Sequence, residues 1–426
     1  MPLKVVIVGA GLGGLAAAIV LTKAGHDVEV FEKSSFHNEV GAAIHLAPNA
    51  TRVLTAWGFD LEKMDPVPCD HLSVWDYKGN FIATPAVTEK FQKKLGMTDA
   101  WLLVHRVDLH NALREKAAEG ADGCKPKIHL ACRVDSVDPT TGKVTLNNGA
   151  SIHADLVIGA DGVHSRTVQA TTDEPQKKKS TGQNCFRFLV PMEQIRANPL
   201  ASSLIDQIGL RSLNAFSSRE RRLIIYPCRS GTLINCVMFH PEGDNSNIGE
   251  SSWLDSGNQA DLMAQVETFS PELQALCGLA EDLKLWSLAS RDPPPRFFKG
   301  KLALIGDAAH PTLPHQGQGG AQAFEDAATL GTLLTTDTKP EQVAQRLKMY
   351  NDIRYKQAVS VLFMSRVGDE HRETVMDDLK RYIPDAELPD NMWEFAWNSF
   401  PVKQAEHALA REKSTANDIC RTDSKF

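Results

Sequence analysis

The opening stretch of the chain restricts its fold more than any other. Val5 to Val8 is an apolar, β-branched run of the kind that makes a buried parallel strand, and glycines follow at once. Gly9, Gly11 and Gly14 spell Gly-x-Gly-x-x-Gly. The first allows a tight turn, the second lets backbone approach a pyrophosphate, and the third lets the next helix pack close to the strand. Leu15 to Lys23 reads as that helix, Gly25 stops it, and Asp27 to Phe31 alternates as a second strand. Glu32 then stands 18 residues beyond Gly14, where a carboxylate can accept hydrogen bonds from an adenosine ribose. Strand, turn, helix, strand and terminal acid together predict a dinucleotide-binding unit rather than an incidental glycine-rich turn.

Composition narrows the classes. A chain of 426 residues has material for two or three domains, and 42 % hydrophobic with 23 % charged residues is ordinary for a globular protein. A net charge of -7 provides no broad basic footprint, and Lys177-Lys178-Lys179 reads as a solvated loop, so no nucleic-acid partner is expected. The eight cysteines show no Cys-x-x-Cys pair and no zinc spacing, so reduced thiols, no metal and a cytoplasmic setting are expected. There is no signal-peptide pattern and no membrane span. Ser424-Lys425-Phe426 approaches the Ser-Lys-Leu peroxisomal address but ends on the wrong residue, and reads as coincidence.

Further along, Phe36 to Trp57 reads as a loop running into a helix from about Ala50. Leu72 begins short strands turning at Lys78-Gly79-Asn80, and Trp101 to Val104 followed by a helix Val107 to Glu119 returns to the first style. A meander spans Lys127 to Ile152. Thr181 to Leu288 is mostly strands, with a hairpin about Arg229-Ser230-Gly231 and a helix Ala260 to Thr268. Lys301 to Ile305 is another buried strand, Ala321 to Thr335 and Pro340 to Ser365 are helical, and Met392 to Arg411 reads as one aromatic-bearing helix.

Two later motifs carry chemistry. In Asp155-Leu-Val-Ile-Gly-Ala-Asp-Gly-Val-His-Ser-Arg166, a strand ends in Asp161-Gly162, with Ser165 and Arg166 offering a hydroxyl and a cation to phosphates. In Gly306-Asp307-Ala-Ala-His-Pro-Thr-Leu-Pro-His-Gln-Gly-Gln-Gly-Gly320, a strand-end Asp can hold a cofactor's polyol, and the glycines place free amides and a helix N-terminus beneath an electron-rich ring. Asp307 read alone is also a candidate helix N-cap, and Asp161 an ordinary loop residue.

The three motifs in order, with Val104-His105-Arg106-Val107-Asp108-Leu109 between the first two, resemble the FAD-dependent aromatic hydroxylases among the single-component flavoprotein monooxygenases, and within them the salicylate-hydroxylase-like branch. The resemblance spans roughly residues 3 to 375. It implies an α/β fold: a Rossmann-like FAD-binding domain with a parallel sheet (1–71, 101–180 and 291–375), an inserted, mainly antiparallel substrate sheet (72–100 and 181–290), and a C-terminal helical segment and tail (376–426). It implies FAD as cofactor, NADH or NADPH as co-substrate, and oxygen transfer to a small aromatic ring through a flavin C4a-hydroperoxide, with loss of a carboxylate in the salicylate manner as one variant. Dearomatising hydroxylation or epoxidation of a natural product is the alternative on the same scaffold, and a non-catalytic flavin-binding protein is a weaker one. The partners implied are the aromatic substrate and O2, and the protein itself is a monomer or homodimer.

By the same resemblance Gly9, Gly11, Gly14, Glu32 and Lys33 serve the ADP half of FAD. Arg106 sits by the ribityl and phosphates, Asp307 binds the ribityl chain, and Asp161-Gly162 serves FAD and passing NAD(P)H. Ala43, Gly317, Gly319 and Gly320 line the flavin ring. His45 is a candidate acceptor for a phenolic proton, or a hydrogen-bonded loop residue. Arg187 and Tyr226, on strands of the substrate sheet, resemble a pair that orients phenolate, and His315 is a candidate substrate contact. The plain alternatives are a strand arginine in a surface ion pair, a core tyrosine and a loop histidine. Asn398 stands where the family pattern suggests an acid.

Overall fold

The computed structural model describes residues 1–36, 42–172, 176, 178–242, 257–367 and 369–423. The glycine unit forms as its spacing predicts. Strand β1 (Lys4–Val8) leads into helix α1 (Leu12–Lys23) and then strand β2 (Asp27–Phe31), which pairs parallel with β1. They belong to a six-stranded sheet in the order 298–299, 302–304, 156–159, β1, β2, 127–129, parallel throughout except for its first pair. Its central strands are apolar and buried from Val5 to Val8 and from Leu156 to Gly159 because layers cover both faces.

A second sheet of seven strands, mostly antiparallel, runs in the order 281–291, 178–191, 233–241, 222–228, 212–217, 71–76, 81–87. Its strands 178–191, 233–241 and 222–228 alternate. Phe186, Phe188, Val190, Leu223, Ile225, Ile234, Cys236 and Met238 bury one face against helices Pro199–Ile208, Gln259–Val266 and Pro271–Gly278. The residues between them, including Cys185, Arg187, Ile224, Tyr226, Asn235, Val237 and Phe239, form the inner face, turned to Ala43 and Leu313. The architecture is thus α/β, with a parallel sheet, an antiparallel sheet and a helical C-terminal part.

Three expectations need correction. The stretch read as a loop from Phe36 contains strand β3 (Ala43–Leu46), paired antiparallel with Leu102–His105, and its helix starts at Pro48 rather than near Ala50. Proline at the first turn pre-sets the helical backbone and explains the earlier start. Residues 37–41 of that stretch lie outside the described residues, as do Lys177 and the Ser424-Lys425-Phe426 end. The expected helix from Met392 to Arg411 is two, Met392–Trp397 and Pro401–Asp423, because Pro401 cannot continue a helix but can begin one.

Helix α1 and helix Gly319–Leu333 run parallel and in close contact. A methyl group on Gly13 would come within 3.3 Å of Ala323 Cβ, and one on Gly331 within 2.7 Å of Val20 Cβ, so glycine at these positions is what lets the backbones approach. The second helix rests on a buried charged network. Arg354 Nε donates to Asp326 (2.8 Å), its Nη1 to Glu325 (2.8 Å) and its Nη2 to the Gln322 side chain (2.7 Å), while His310 Nε2 donates to Asp326 at 2.6 Å. Burial pushes Asp326 upward, yet His310 and Arg354 outweigh it and hold its carboxyl below the ordinary value. Arg354→Met leaves two carboxylates buried without their cation, and denaturant unfolding is expected to show a loss of about 3–5 kcal/mol.

Candidate functional site

Each glycine of the first motif has a distinct task. Gly9 has φ +98°, and a Cβ there would lie 2.5 Å from the Ala160 carbonyl oxygen; a Cβ on Gly14 would lie 2.0 Å from the Gly9 carbonyl oxygen. These two are required by the chain itself. Gly11 is different: its φ is -70° and a Cβ would meet nothing within 4 Å. It opens onto free space at the start of α1, where no side chain caps the first-turn amides. Glu32 stands beside them, accepting from the Ala10 amide (2.7 Å) and the Ser34 amide (2.8 Å), and His110 Nε2 lies 2.8 Å from the Ala10 carbonyl. Lys33 is exposed at the end of β2.

The third motif converges on the same cleft. Asp307 follows the strand 302–304, and the position of a Gly319 Cβ is 3.9 Å from its Oδ1. It caps no helix: the short turn Gly306–Ala308 and the helix Gly319–Leu333 both begin without a side-chain capping bond, which removes the N-cap reading. Burial raises its carboxyl above the ordinary value, and His310, Arg291 and Arg106 oppose that shift by their charge. Arg106 opens the helix Arg106–Glu119, with its amide bonded to the Ala42 carbonyl at 2.8 Å. Gly317 has φ +59°, and Gly320 packs near Ile44 and Leu12.

Asp161 is drawn inward. Its carboxylate accepts from Ser165 Oγ (2.7 Å), Thr167 Oγ1 (2.6 Å) and the amides of Arg166 (2.6 Å) and Thr167 (3.0 Å). The expected phosphate donors are therefore otherwise engaged: Ser165 on Asp161, and the Arg166 guanidinium on Asp135 at 3.2 Å. What the turn leaves open is Gly162, with φ +79° and no neighbour within 4 Å of a Cβ. Beneath the two loops lies Arg291, 2 % exposed, whose Nη2 donates to the carbonyls of Asp307 (2.9 Å) and Ala308 (2.7 Å). Burial lowers it to about 10, against the supporting charges of Asp161 and Asp307. A lone arginine before a proline run gave no sign of this position.

Strand β3 lies between the two sheets. Arg187 Nη2 (3.1 Å) and the Tyr226 hydroxyl (2.9 Å) both donate to the Ala43 carbonyl, and the Ala43 amide donates to Asn235 Oδ1 (3.0 Å). Arg187 also stacks 4.6 Å over the Trp286 ring, so it is no surface ion pair. Burial raises the Tyr226 hydroxyl well above the ordinary phenol range, with Arg187 opposing, and it stays a donor at neutral pH. His315 lies against Phe239, with ring centroids 4.8 Å apart.

His45 Nε2 sits where a Gly317 Cβ would be, its Nδ1 accepts from Trp101 Nε1 at 3.0 Å, and it makes a backbone hydrogen bond with Gln316. Indole is a donor only, so the proton of His45 is on Nε2. Trp101, Trp393 and Trp397 pack behind it, Trp397 edge to face with each of the other two, which gives the C-terminal aromatics their place.

Comparisons with known proteins show the family. Residues 2–364 match the model of the FAD binding domain family. An FAD-dependent monooxygenase of Aspergillus candidus is 35 % identical over 96 % of this chain and 95 % of its own. The chain belongs to the FAD-dependent monooxygenases. The hispidin-3-hydroxylase of Neonothopanus nambi is 32 % identical over 92 % of this chain and 93 % of its own. A salicylate hydroxylase in complex with substrate superposes with a TM-score of 0.75 at 22 % identity, covering 95 % of this chain and 97 % of that one, which is a likeness of fold. The residues fit FAD: open Gly11, uncapped amides at the starts of two packed helices, Glu32 beside the first of them, and Arg106 close enough to Asp307 to act on its charge. Among the described residues no helix is long and apolar enough to cross a membrane.

Gly11→Ala is expected to fold with an unchanged thermal midpoint yet lose FAD on gel filtration, whereas Gly14→Ala forces the backbone apart and lowers the midpoint of the apoprotein as well. A second expectation concerns acid. Burial lowers His45 from 6.5 to about 4, so between those values the unfolded chain binds more protons and stability rises with pH. Acidification through that window removes about 3 kcal/mol for this ring. His26, His105 and His240 are lowered in the same sense and steepen the slope. Thermal midpoints measured against pH should fall less steeply for His45→Gln than for the wild type.

Proposed function

We propose that the enzyme takes hydride from NADH or NADPH and uses O2 to hydroxylate a small aromatic ring that carries an ionisable oxygen. The observation that carries this reading is the inner face of the seven-stranded sheet, where two strong donors, Arg187 and Tyr226, converge on a single oxygen amid apolar neighbours. Their present acceptor is the Ala43 carbonyl. A phenolate or carboxylate oxygen is a stronger acceptor for the same groups, since a bond between a cation and an anion is about twice as strong as a neutral one. Bound FAD supplies the redox chemistry and the activation of oxygen.

The chain's own residues supply position and field. The parallel helices α1 and Gly319–Leu333 direct their positive ends into one cleft, the first toward the pyrophosphate and the second toward the flavin ring. Gly317, Gly319 and Gly320 offer amides there, Ala43 lies alongside through β3, and Asp307 and Arg106 hold the ribityl side. Gly162 leaves room for a passing nicotinamide nucleotide. Arg187 and Tyr226 hold the substrate's oxygen and raise the electron density of its ring, and His315 with Phe239 closes the pocket. His45, with both nitrogens engaged, is assigned the positioning of Gly317 rather than proton transfer. The division proposed is a flavin part (1–71, 101–180 and 291–375), a substrate part (72–100 and 181–290) and a closing C-terminal segment (376–426).

A natural-product phenol or pyrone is the second reading for the substrate, supported by the likeness to the hispidin hydroxylase. The test is NADH and NADPH oxidation by FAD-loaded protein over salicylate, other hydroxybenzoates, simple phenols and hispidin, with hydrogen peroxide and carbon dioxide measured alongside. A ring that accelerates the oxidation several-fold, gains one oxygen atom and yields less peroxide than the nucleotide consumed is the expected result. Carbon dioxide release separates decarboxylating from simple hydroxylation. Absence of stimulation by any ring would sink the reading.

A further inference from the structure

Three side chains of the inner sheet face close on the backbone N–H and C=O of one residue, Ala43, and two of them have hydrogen-bonding capacity left over. The Ala43 amide is a donor, so the oxygen of the Asn235 side chain must face it, at 3.0 Å, and the NH2 group must point the other way. That NH2 is fully buried and has no partner among the described residues. Arg187 Nε, on the strand next to that of Asn235, is in the same condition. Tyr226 is the direct cross-strand neighbour of Asn235 on the other side. Around this patch the face is apolar, formed by Cys185, Val237, Phe239 and Leu288 with Ile224 beside them.

A buried N–H without an acceptor carries its full desolvation penalty, and two such groups on adjacent strands of one face share the same need. We propose that the Asn235 side-chain NH2 is a substrate contact, which with Arg187 Nε forms a subsite for an anionic oxygen on the aromatic ring. The proposal rests on the reading of the chain as an aromatic hydroxylase and deepens it: a ring with no oxygen acceptor leaves both donors unmet. Phenolate and carboxylate share the chemistry, the guanidinium supplying the charge and the amide the second donor. It also gives Asn235 two jobs that substitution can separate, its oxygen anchoring β3 and its nitrogen reading the ligand.

The test is a titration of FAD-loaded wild type, N235D and N235L with salicylate and, separately, hispidin, followed through the flavin absorption spectrum. N235D keeps an oxygen for the Ala43 amide but exchanges the donor for a negative charge; N235L removes both functions. A ligand contact predicts that N235D is the weaker binder, with Kd for salicylate raised roughly ten-fold or more and N235L affected less. A purely structural Asn235 predicts the reverse order, N235D near wild type and N235L weak, and that result overturns the proposal, as do equal Kd values in all three proteins. FAD content and thermal midpoint identify a misfolded variant; should N235L fail to fold, N235D against wild type decides. Wild-type protein whose flavin responds to neither ring overturns the substrate reading itself, and the subsite with it.

Discussion

Arg354 is sealed from water, and its charge is met entirely by groups of the helix Gly319–Leu333: Gln322, Glu325 and Asp326. A buried cation of this kind is tolerable only when every partner is in place. Its partner Asp326 also accepts from His310 and from the Gly306 amide at 2.9 Å. One network therefore fixes the glycine-headed helix, the residue before Asp307 and the histidine three places after it. Asn49 extends it, donating to Glu325 (3.2 Å) and to Gln318 (3.1 Å), so the helix that follows β3 is tied to the same centre. The cleft's polar edge is built on this base.

Much of the parallel sheet could be read from the chain because its signals are local. Gly9 to Glu32 carries strand, turn, helix and acid within one short span, and Gly306-Asp307 lies beside the strand that positions it. The inner face of the second sheet was legible in part: alternation placed Arg187 and Tyr226 on strands, but nothing local showed that both reach Ala43, whose number differs from theirs by 144 and 183. Asn235, Arg291 and Arg354 were missed for the same reason. Asn235 is one polar residue in an apolar strand, Arg291 one arginine before a proline run and Arg354 one charge among many on a helix, and the importance of each comes from partners outside its own element. Strand β3 was hidden differently. Four residues among glycine and alanine have little intrinsic preference for strand, and the pairing with Leu102–His105 supplies what propensity does not.

Strand β3 also shows how the two sheets share one cleft. Ala43 is held by the antiparallel sheet, while its successors Ile44 and His45 press on Gly320 and Gly317. The antiparallel sheet is thereby joined to the glycine turn at 317–320 through three consecutive residues, 43–45. Trp101 and Trp397 pack behind His45.

The order of strands in the parallel sheet has a consequence for biosynthesis. β1 pairs with Leu156–Gly159, which in turn pairs with Leu302–Leu304, so the centre of the sheet is assembled from pieces about 150 residues apart in the chain. A ribosome delivers these pieces in sequence, and long-range parallel pairing is slow. The opening glycines leave the exit tunnel long before the helix that runs beside them, and until residue 333 or so is made their cradle has only one wall. The two helix starts that lie side by side in the folded chain are thus made more than 300 residues apart.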